Sequence, residues 1–261
     1  MSFGYPRNRN ALSLILAFLP FLIWAEASIG PIGMYRNFQE DLPSPLKSKE
    51  RGFLYGVDAK YEVHLQDLWI LATGRYLEGR TDYDGSLIDL DTSEVTPFAS
   101  QTLNTLRTAE ADFGFHLFGV TPFVGYGYHQ WSREATDRKT GYDEFYQWMF
   151  LALGLNASWN PMERIRLGMV LKAMRTIDAS VEITECFDTP LSLSLANRWN
   201  AEVQLPVQIS FSDLITGSME GFYRLERLGA SKEAEIEGVM MHEPSSISQN
   251  FGFLTKLICS Y

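Results

Sequence analysis

The chain has 261 residues, a net charge of −10 and an aromatic content of 13%. That length holds one large all-β domain or two small ones, and the acidic balance, with no basic stripe to displace counterions, excludes a nucleic-acid partner. Abundant aromatics beside a mean hydropathy only slightly below zero fit a closed membrane barrel, where half the strand residues meet lipid and half a polar interior.

Arg7 and Arg9 precede an apolar run from Ala11 to Ala25, and Ala25-Glu26-Ala27 has the small-x-small pattern of a cleavage site. This predicts a secretory signal peptide over 1–27 and a mature domain over 28–261. The run is short for a helix spanning roughly 20 residues. No other stretch is apolar enough to cross as a helix, so a membrane domain here must be a closed sheet, which satisfies its own backbone in lipid.

Met34–Phe38 reads as strand and Asp41–Glu50, with two prolines, as loop. From Leu54 to Leu65 the period is two. Tyr55, Val57, Ala59, Tyr61, Val63 and Leu65 share one face, and Gly56, Asp58, Lys60, Glu62 and His64 the other. After Gln66-Asp67, Leu68–Gly79 continues with Arg75 inward and Ile70, Ala72, Gly74 and Tyr76 outward; Arg80–Gln101 reads as a long polar connection. In Thr105–Phe118, Ala109, Ala111, Phe113 and Phe115 oppose Thr108, Glu110, Asp112 and His116. Gly119 turns the chain into Val120–Trp131, with Pro122, Val124, Tyr126 and Tyr128 outward and Phe123, Gly125, Gly127, His129 and Trp131 inward.

Ser132–Asp143 reads as a charged loop. Phe145–Trp159 turns through Asn160-Pro161 into Arg164–Arg175, with Leu151, Leu153, Leu155, Leu167, Met169 and Leu171 outward and Arg166 and Lys172 inward. Thr176–Ala196 is another long loop. Asn197–Phe211 places Glu202 and Gln204 inward; Gly217–Leu228, after Ser212-Asp213, places Arg224 and Glu226 inward. A polar loop, Gly229–Ser248, leads to Phe251–Tyr261, where Phe251, Phe253, Leu257, Cys259 and Tyr261 share one face and Lys256 lies on the other.

Connections alternate between short ones near 66, 119, 160 and 213 and long ones near 90, 137, 186 and 238, as short periplasmic turns and long external loops do in outer-membrane barrels. Nine strands are clear from Leu54 onward. With the C-terminus in the periplasm, a tenth is needed before Leu54, and residues 29–40 are the only material. The expectation is an all-β, antiparallel up-and-down transmembrane barrel of ten strands, with eight as the alternative.

The last strand, ending on an aromatic, resembles the closing strand of bacterial outer-membrane barrels. The resemblance implies that Phe251, Phe253, Leu257 and Tyr261 form the signal read by the barrel-assembly machinery. Thr121-Pro-Phe-Val-Gly-Tyr-Gly-Tyr128 followed by Trp131, Arg75-Tyr76 with Asp82-Tyr83-Asp84-Gly85, and Glu243-Pro244 with Asn250-Phe-Gly252 resemble a largely uncharacterised family of small proteobacterial outer-membrane barrel proteins. That resemblance implies the outer membrane of a Gram-negative bacterium, with lipid and lipopolysaccharide around it, and carries no catalytic residues.

Inward acids (Asp58, Glu62, Glu110, Asp112, Glu202, Glu226) nearly balance inward bases (Lys60, Arg75, Arg166, Lys172, Arg224, Lys256). An unpaired buried charge costs several kcal/mol, and a pore selecting one sign of ion would show an excess of the other. Balance therefore points to a salt-bridged, largely filled lumen, and a structural or surface-interaction protein with acidic external loops. The alternative is a narrow pore or carrier for small or apolar solutes. A third reading, a hydrolase at the outer rim, would draw on His129, Ser132, His242, Asp82 and Asp84; no spacing there matches a known arrangement, so no enzyme activity is expected. His64 and His116 read as hydrogen-bonded interior residues. No metal or cofactor motif is present; Asp82, Asp84, Asp89 and Asp91 read as a solvated loop rather than a calcium site. Cys186 and Cys259 fall on opposite sides of the membrane, too far apart for a disulfide, and the extracellular ligand, if any, is not encoded in a motif.

Overall fold

The computed structural model describes residues 23–88, 92, 94–136, 143–184, 190–236 and 239–261. The strands are β1 (Ile23–Glu40), β2 (Ser48–Leu65), β3 (Leu68–Ile88), β4 (Val95–Phe115), β5 (Val120–Ala135), β6 (Asp143–Met162), β7 (Ile165–Thr184), β8 (Leu191–Ser194), β9 (Trp199–Ser210), β10 (Ile215–Leu228), β11 (Ala234–Ile236), β12 (Val239–Met241) and β13 (Ser246–Ser260). Ten of them close into an antiparallel barrel in the order β1-β2-β3-β4-β5-β6-β7-β9-β10-β13. The seam is β1 against β13, running from Glu26 opposite Ser260 to Glu40 opposite Ser246. Ala25 and Tyr261 exchange backbone hydrogen bonds at its end (3.2 and 3.0 Å). β8 is appended to β7, and β11 and β12 form a separate hairpin.

The tenth strand is the one that residues 29–40 were needed for, and it starts earlier than expected. Ile23–Ala27, the end of the expected leader, is already paired in β1; residues 1–22 lie outside the described residues. Among the described residues no helix is long and apolar enough to cross a membrane.

Side chains alternate between hydrocarbon and interior because successive residues of a strand point to opposite faces. On β2, Tyr55 is 68% exposed and its near neighbour Asp58 is fully buried. The outward belt includes Val57, Phe113, Val124, Leu151, Leu153, Leu155, Leu205, Phe253 and Leu257. Aromatics edge it, with Phe118, Trp159, Phe211 and Tyr261 at the turn end and Phe53, Tyr55, Tyr76 and Tyr128 towards the other, as at the two interfaces of a bilayer.

The short turns are tight. Phe118 and Gly119 both have positive φ (49° and 85°), and Leu117 and Val120 exchange hydrogen bonds of 2.8 and 2.9 Å across them. Two left-handed residues give a loop whose twist matches its strands. On the inner wall, a Cβ at Gly30 or Gly56 would lie 1.8 Å from the carbonyl oxygen of Thr255 or Tyr76, so neither position accepts a side chain without backbone movement.

Several expected connections are largely strand. Arg80–Ile88 and Val95–Gln101 extend β3 and β4, Ser132–Ala135 extends β5, and Thr176–Thr184 extends β7. Asn160-Pro161 lies within β6, and the turn is at Glu163–Arg164, after a register irregularity between Trp159 and Met162. The barrel wall therefore rises past the apolar belt at the long-connection end. Water bathes the outside of this collar, which removes the apolar-outward alternation that marks a strand in lipid. Cys259 is exposed on the outer face and is a free thiol; Cys186, Asp89 and Asp91 lie outside the described residues.

Candidate functional site: the lumen

The interior divides into two halves. The turn-end half holds a cavity of about 230 Å³. At its mouth, His64 Nε2 bonds Glu62 Oε1 (2.7 Å), His64 Nδ1 bonds His116 Nε2 (3.0 Å), and His116 Nδ1 bonds Thr121 Oγ1 (2.6 Å). Trp69 Nε1 donates to the same Glu62 oxygen (2.7 Å). β2, β3, β5 and the residue that follows β4 thus supply one polar chain, and both histidines are held by hydrogen bonds.

Above it lies an ionic belt. Arg75 Nε donates to Asp58 Oδ2 (3.1 Å), and Lys60 and Lys256 converge on Glu220 Oε2 (3.3 and 3.2 Å). Lys256 also approaches Asp58 Oδ1 (3.5 Å). Lys172 bridges Glu110 (2.6 Å) and Asp112 (3.3 Å). Arg224 joins Glu202 (3.5 Å) to Glu226 (3.1 Å), and Glu226 reaches Arg36 (3.4 Å) and Asn250 (2.8 Å). Ten of the twelve charged residues picked out by inward parity are therefore in ion pairs. Glu62 is instead hydrogen-bonded to His64 and Trp69. Arg166 lines the cavity mouth and makes no ion pair with a described residue.

The other half is not a wet bore. Met34, Phe38, Leu54, Leu77, Leu106, Trp131, Tyr146, Trp148, Phe150, Met174, Val181 and Ile183 form one buried apolar core inside the wall. Leu191, Leu193 and Leu195 fold back from β8 to join it. Trp131 stacks on Tyr146 (centroids 4.6 Å apart) and meets Phe38 edge-on (5.1 Å), while the Arg36 guanidinium lies 3.9 Å from the Trp131 ring centroid. Ion pairs thus line one half of the lumen's length, and a buried apolar core fills the other. Leu54, Leu77 and Leu106 share the parity of Asp58, Arg75 and Thr108, which places apolar side chains inward as soon as the wall clears the ionic belt.

A second ionic cluster is set in this core. Arg133 Nη2 contacts Glu50 Oε2 (2.9 Å), and Nη1 contacts Glu144 and, at 3.6 Å, Glu40. Glu50 also accepts from Thr81 and Asn104. Tyr146 Oη donates to Glu144 (3.2 Å) and to Glu243 (2.6 Å). None of these five charged residues was expected inside. Glu50, Arg133 and Glu243 fall in stretches that read as loop, Glu144 lies unassigned between a loop and a strand, and Glu40 closes a strand whose faces were not assigned. Glu220 was legible, since it shares the parity of Arg224 and Glu226.

The residues considered for rim chemistry do not assemble. His129 is not at the rim: it is buried in the lumen, bonded to Thr108 (2.7 Å) and stacked on Trp148 (4.3 Å). Asp82 accepts from Gln101 (3.3 Å), Asp84 pairs with Lys47 (2.6 Å) and Ser132 reaches Glu134 (3.4 Å). His242 is exposed, and no hydrogen bond or ion pair joins any two of the five. Among the described residues no cluster of three or more metal-ligating side chains is placed to hold an ion.

No family model and no curated protein sequence matches the chain. Among solved structures it is similar to the outer-membrane protease OmpT of Escherichia coli, with 12% identity over 92% of this chain and 96% of that one and a TM-score of 0.52. The outer-membrane protein AlkL, determined in lipid bilayers, matches at 12% identity over 100% and 97% with a TM-score of 0.41. The toluene transporter TodX of Pseudomonas putida matches at 10% over 94% and 92%, with 0.36. At these identities the likeness to OmpT is one of fold.

Proposed function

We propose that the chain is a structural or surface-contact protein of the Gram-negative outer membrane, whose lumen is sealed and whose collar and long connections form its working surface. In this reading residues 1–27 are the export leader, and its removal shortens β1 (Ile23–Glu40) so that it begins at Ser28. The strand carrying Phe251, Phe253, Leu257 and Tyr261 is presented to the assembly machinery, and lipopolysaccharide surrounds the outward belt. One observation carries the reading: Phe38, Trp131, Tyr146 and Trp148 are all buried in one apolar cluster inside the wall, with the Arg36 guanidinium over the Phe38 and Trp131 rings. A permanent open path needs polar, hydrated walls throughout, whereas this segment packs like a protein interior.

Planar-bilayer recording of the purified, folded protein tests it. Insertion is expected to give no stable conductance step; a reproducible channel of porin size overturns the reading. The second reading, a carrier for small solutes, draws on the 230 Å³ turn-end cavity, and solute uptake into proteoliposomes above the empty-vesicle rate decides for it.

A further inference from the structure

Between β10 and β13, the described residues 229–236 and 239–245 are fastened to the long-connection end of the barrel at a few points. Gly229 donates to Ala196 O and Ala196 to Ala230 O (both 3.1 Å). Ser231 N donates to Glu243 O (2.9 Å), Glu243 N to Ser231 Oγ (2.8 Å), and Asp41 N to Ser245 O (2.8 Å). Ala234 and Met241 pack against the apolar core only in part. Among the described residues, the side-chain hydrogen bond that carries the segment into the lumen runs from Tyr146 Oη to the buried Glu243 carboxyl.

We propose that this segment is a proton-operated latch, docked while Glu243 is neutral and freed when Glu243 loses its proton. The groups facing Glu243 set the balance. Glu144 and Tyr146 come from β6, Glu40 from β1 and Arg133 from β5; Glu50 of β2 and Tyr83 of β3 join the same cluster beside Arg133, and His242, next in the chain, is exposed. Four carboxylates thus share one guanidinium, because Arg36 is engaged with Glu226. Arg133 contacts Glu40, Glu50 and Glu144; Glu243 is the acid without a cation at ion-pair distance among the described residues. A buried carboxylate in that position is strongly disfavoured, whereas the neutral acid keeps its hydrogen bond from Tyr146.

The direction of the pH dependence follows. Burial, then Glu144 and Glu40, hold the Glu243 acid well above the usual carboxylate value of 4.5. Glu40, at the tip of β1 beyond the apolar belt, is itself raised to about 7, chiefly by burial. The docked form binds more protons than the released one, so docking is strongest below pH 4.5 and weakens as pH rises above it. Each proton shed shifts the equilibrium by at most about tenfold per pH unit.

Spin labels at Met240→Cys and Thr96→Cys, in full-length protein with Cys186 and Cys259 replaced by serine, report the position of the β11–β12 hairpin relative to the collar. The expected result is one narrow distance at pH 5 and a broad distribution at pH 9, with the released fraction rising at least ~10-fold in a barrel whose heat-modifiable gel mobility is unchanged. Glu243→Gln should stay narrow at both pH values, and Tyr146→Phe should release at lower pH than the parent. A distribution that is narrow at both pH values in the parent overturns the proposal, as does a Glu243→Gln variant that is broad at pH 5. A narrow distance at pH 9 that appears only with added calcium and disappears with chelator would assign closure to a cation and also overturn it. The aromatic seal lies beneath the hairpin, so bilayer conductance and latch movement are separate readouts that fail independently.

Discussion

Replacing Arg133 with methionine is expected to destabilise the folded barrel by about 3–5 kcal/mol, the cost of stranding a buried ion-pair partner. The guanidinium contacts Glu40, Glu50 and Glu144 and also lies over the rings of Phe38 (4.8 Å) and Trp131 (5.4 Å). Methionine keeps much of the packing and removes the charge. Equilibrium urea unfolding in lipid, followed by tryptophan fluorescence and heat-modifiable mobility, measures the difference. Adding Glu50→Gln should recover part of the loss, because the two residues share one network and their effects do not add. A single substitution costing less than ~1 kcal/mol, the range of a solvated surface pair, would mean that the collar interior is wet and that its carboxylates are not held by this arginine.

The second large effect is expected on the other face of the wall. Leu153 lies 57% exposed near the middle of the outward belt, opposite Val124 on β5 and Ala173 on β7. Leu153→Arg should cost about 2–4 kcal/mol in a bilayer, the depth-dependent penalty for a lipid-facing cation near the midplane. Gln208→Arg, which points a cation into the turn-end cavity, should cost far less, because that cavity is lined by polar side chains and has room for water. Equal costs at the two positions would show that Leu153 does not face hydrocarbon.

Much of this architecture can be read from the residues, and the reasons for the failures are physical. Where lipid lies outside and polar groups inside, as from Tyr55 to Glu62, alternation is unambiguous and even the strand count follows from parity. In the collar that contrast disappears. Thr81, Tyr83 and Gly85 face in while Arg80, Asp82 and Asp84 face water, and polarity on both sides looks like loop. Arg133 illustrates the consequence: its setting in a charged stretch hides a residue buried among aromatics. His129 fails differently. Its inward direction was legible, but its height was not, because the wall rises several residues beyond Trp131. The ionic belt was recoverable because each buried charge requires a partner, and parity named candidates on both sides.

The seam between β1 and β13 has a consequence for how the molecule forms. Its partners sit at opposite ends of the chain, Glu26 against Ser260, so the contact with the greatest sequence separation is the one that completes the cylinder. Every other neighbouring pair in the wall is consecutive or separated by one or two short strands, and such local pairings form early. Until the final register is made, the growing sheet has two bare rims of unsatisfied amides, the state most open to pairing with another chain. Deleting Ser246–Tyr261 would therefore do more than shorten the wall: it would leave an open sheet with both rims permanently available, and oligomeric aggregates rather than a smaller monomer are the expected product.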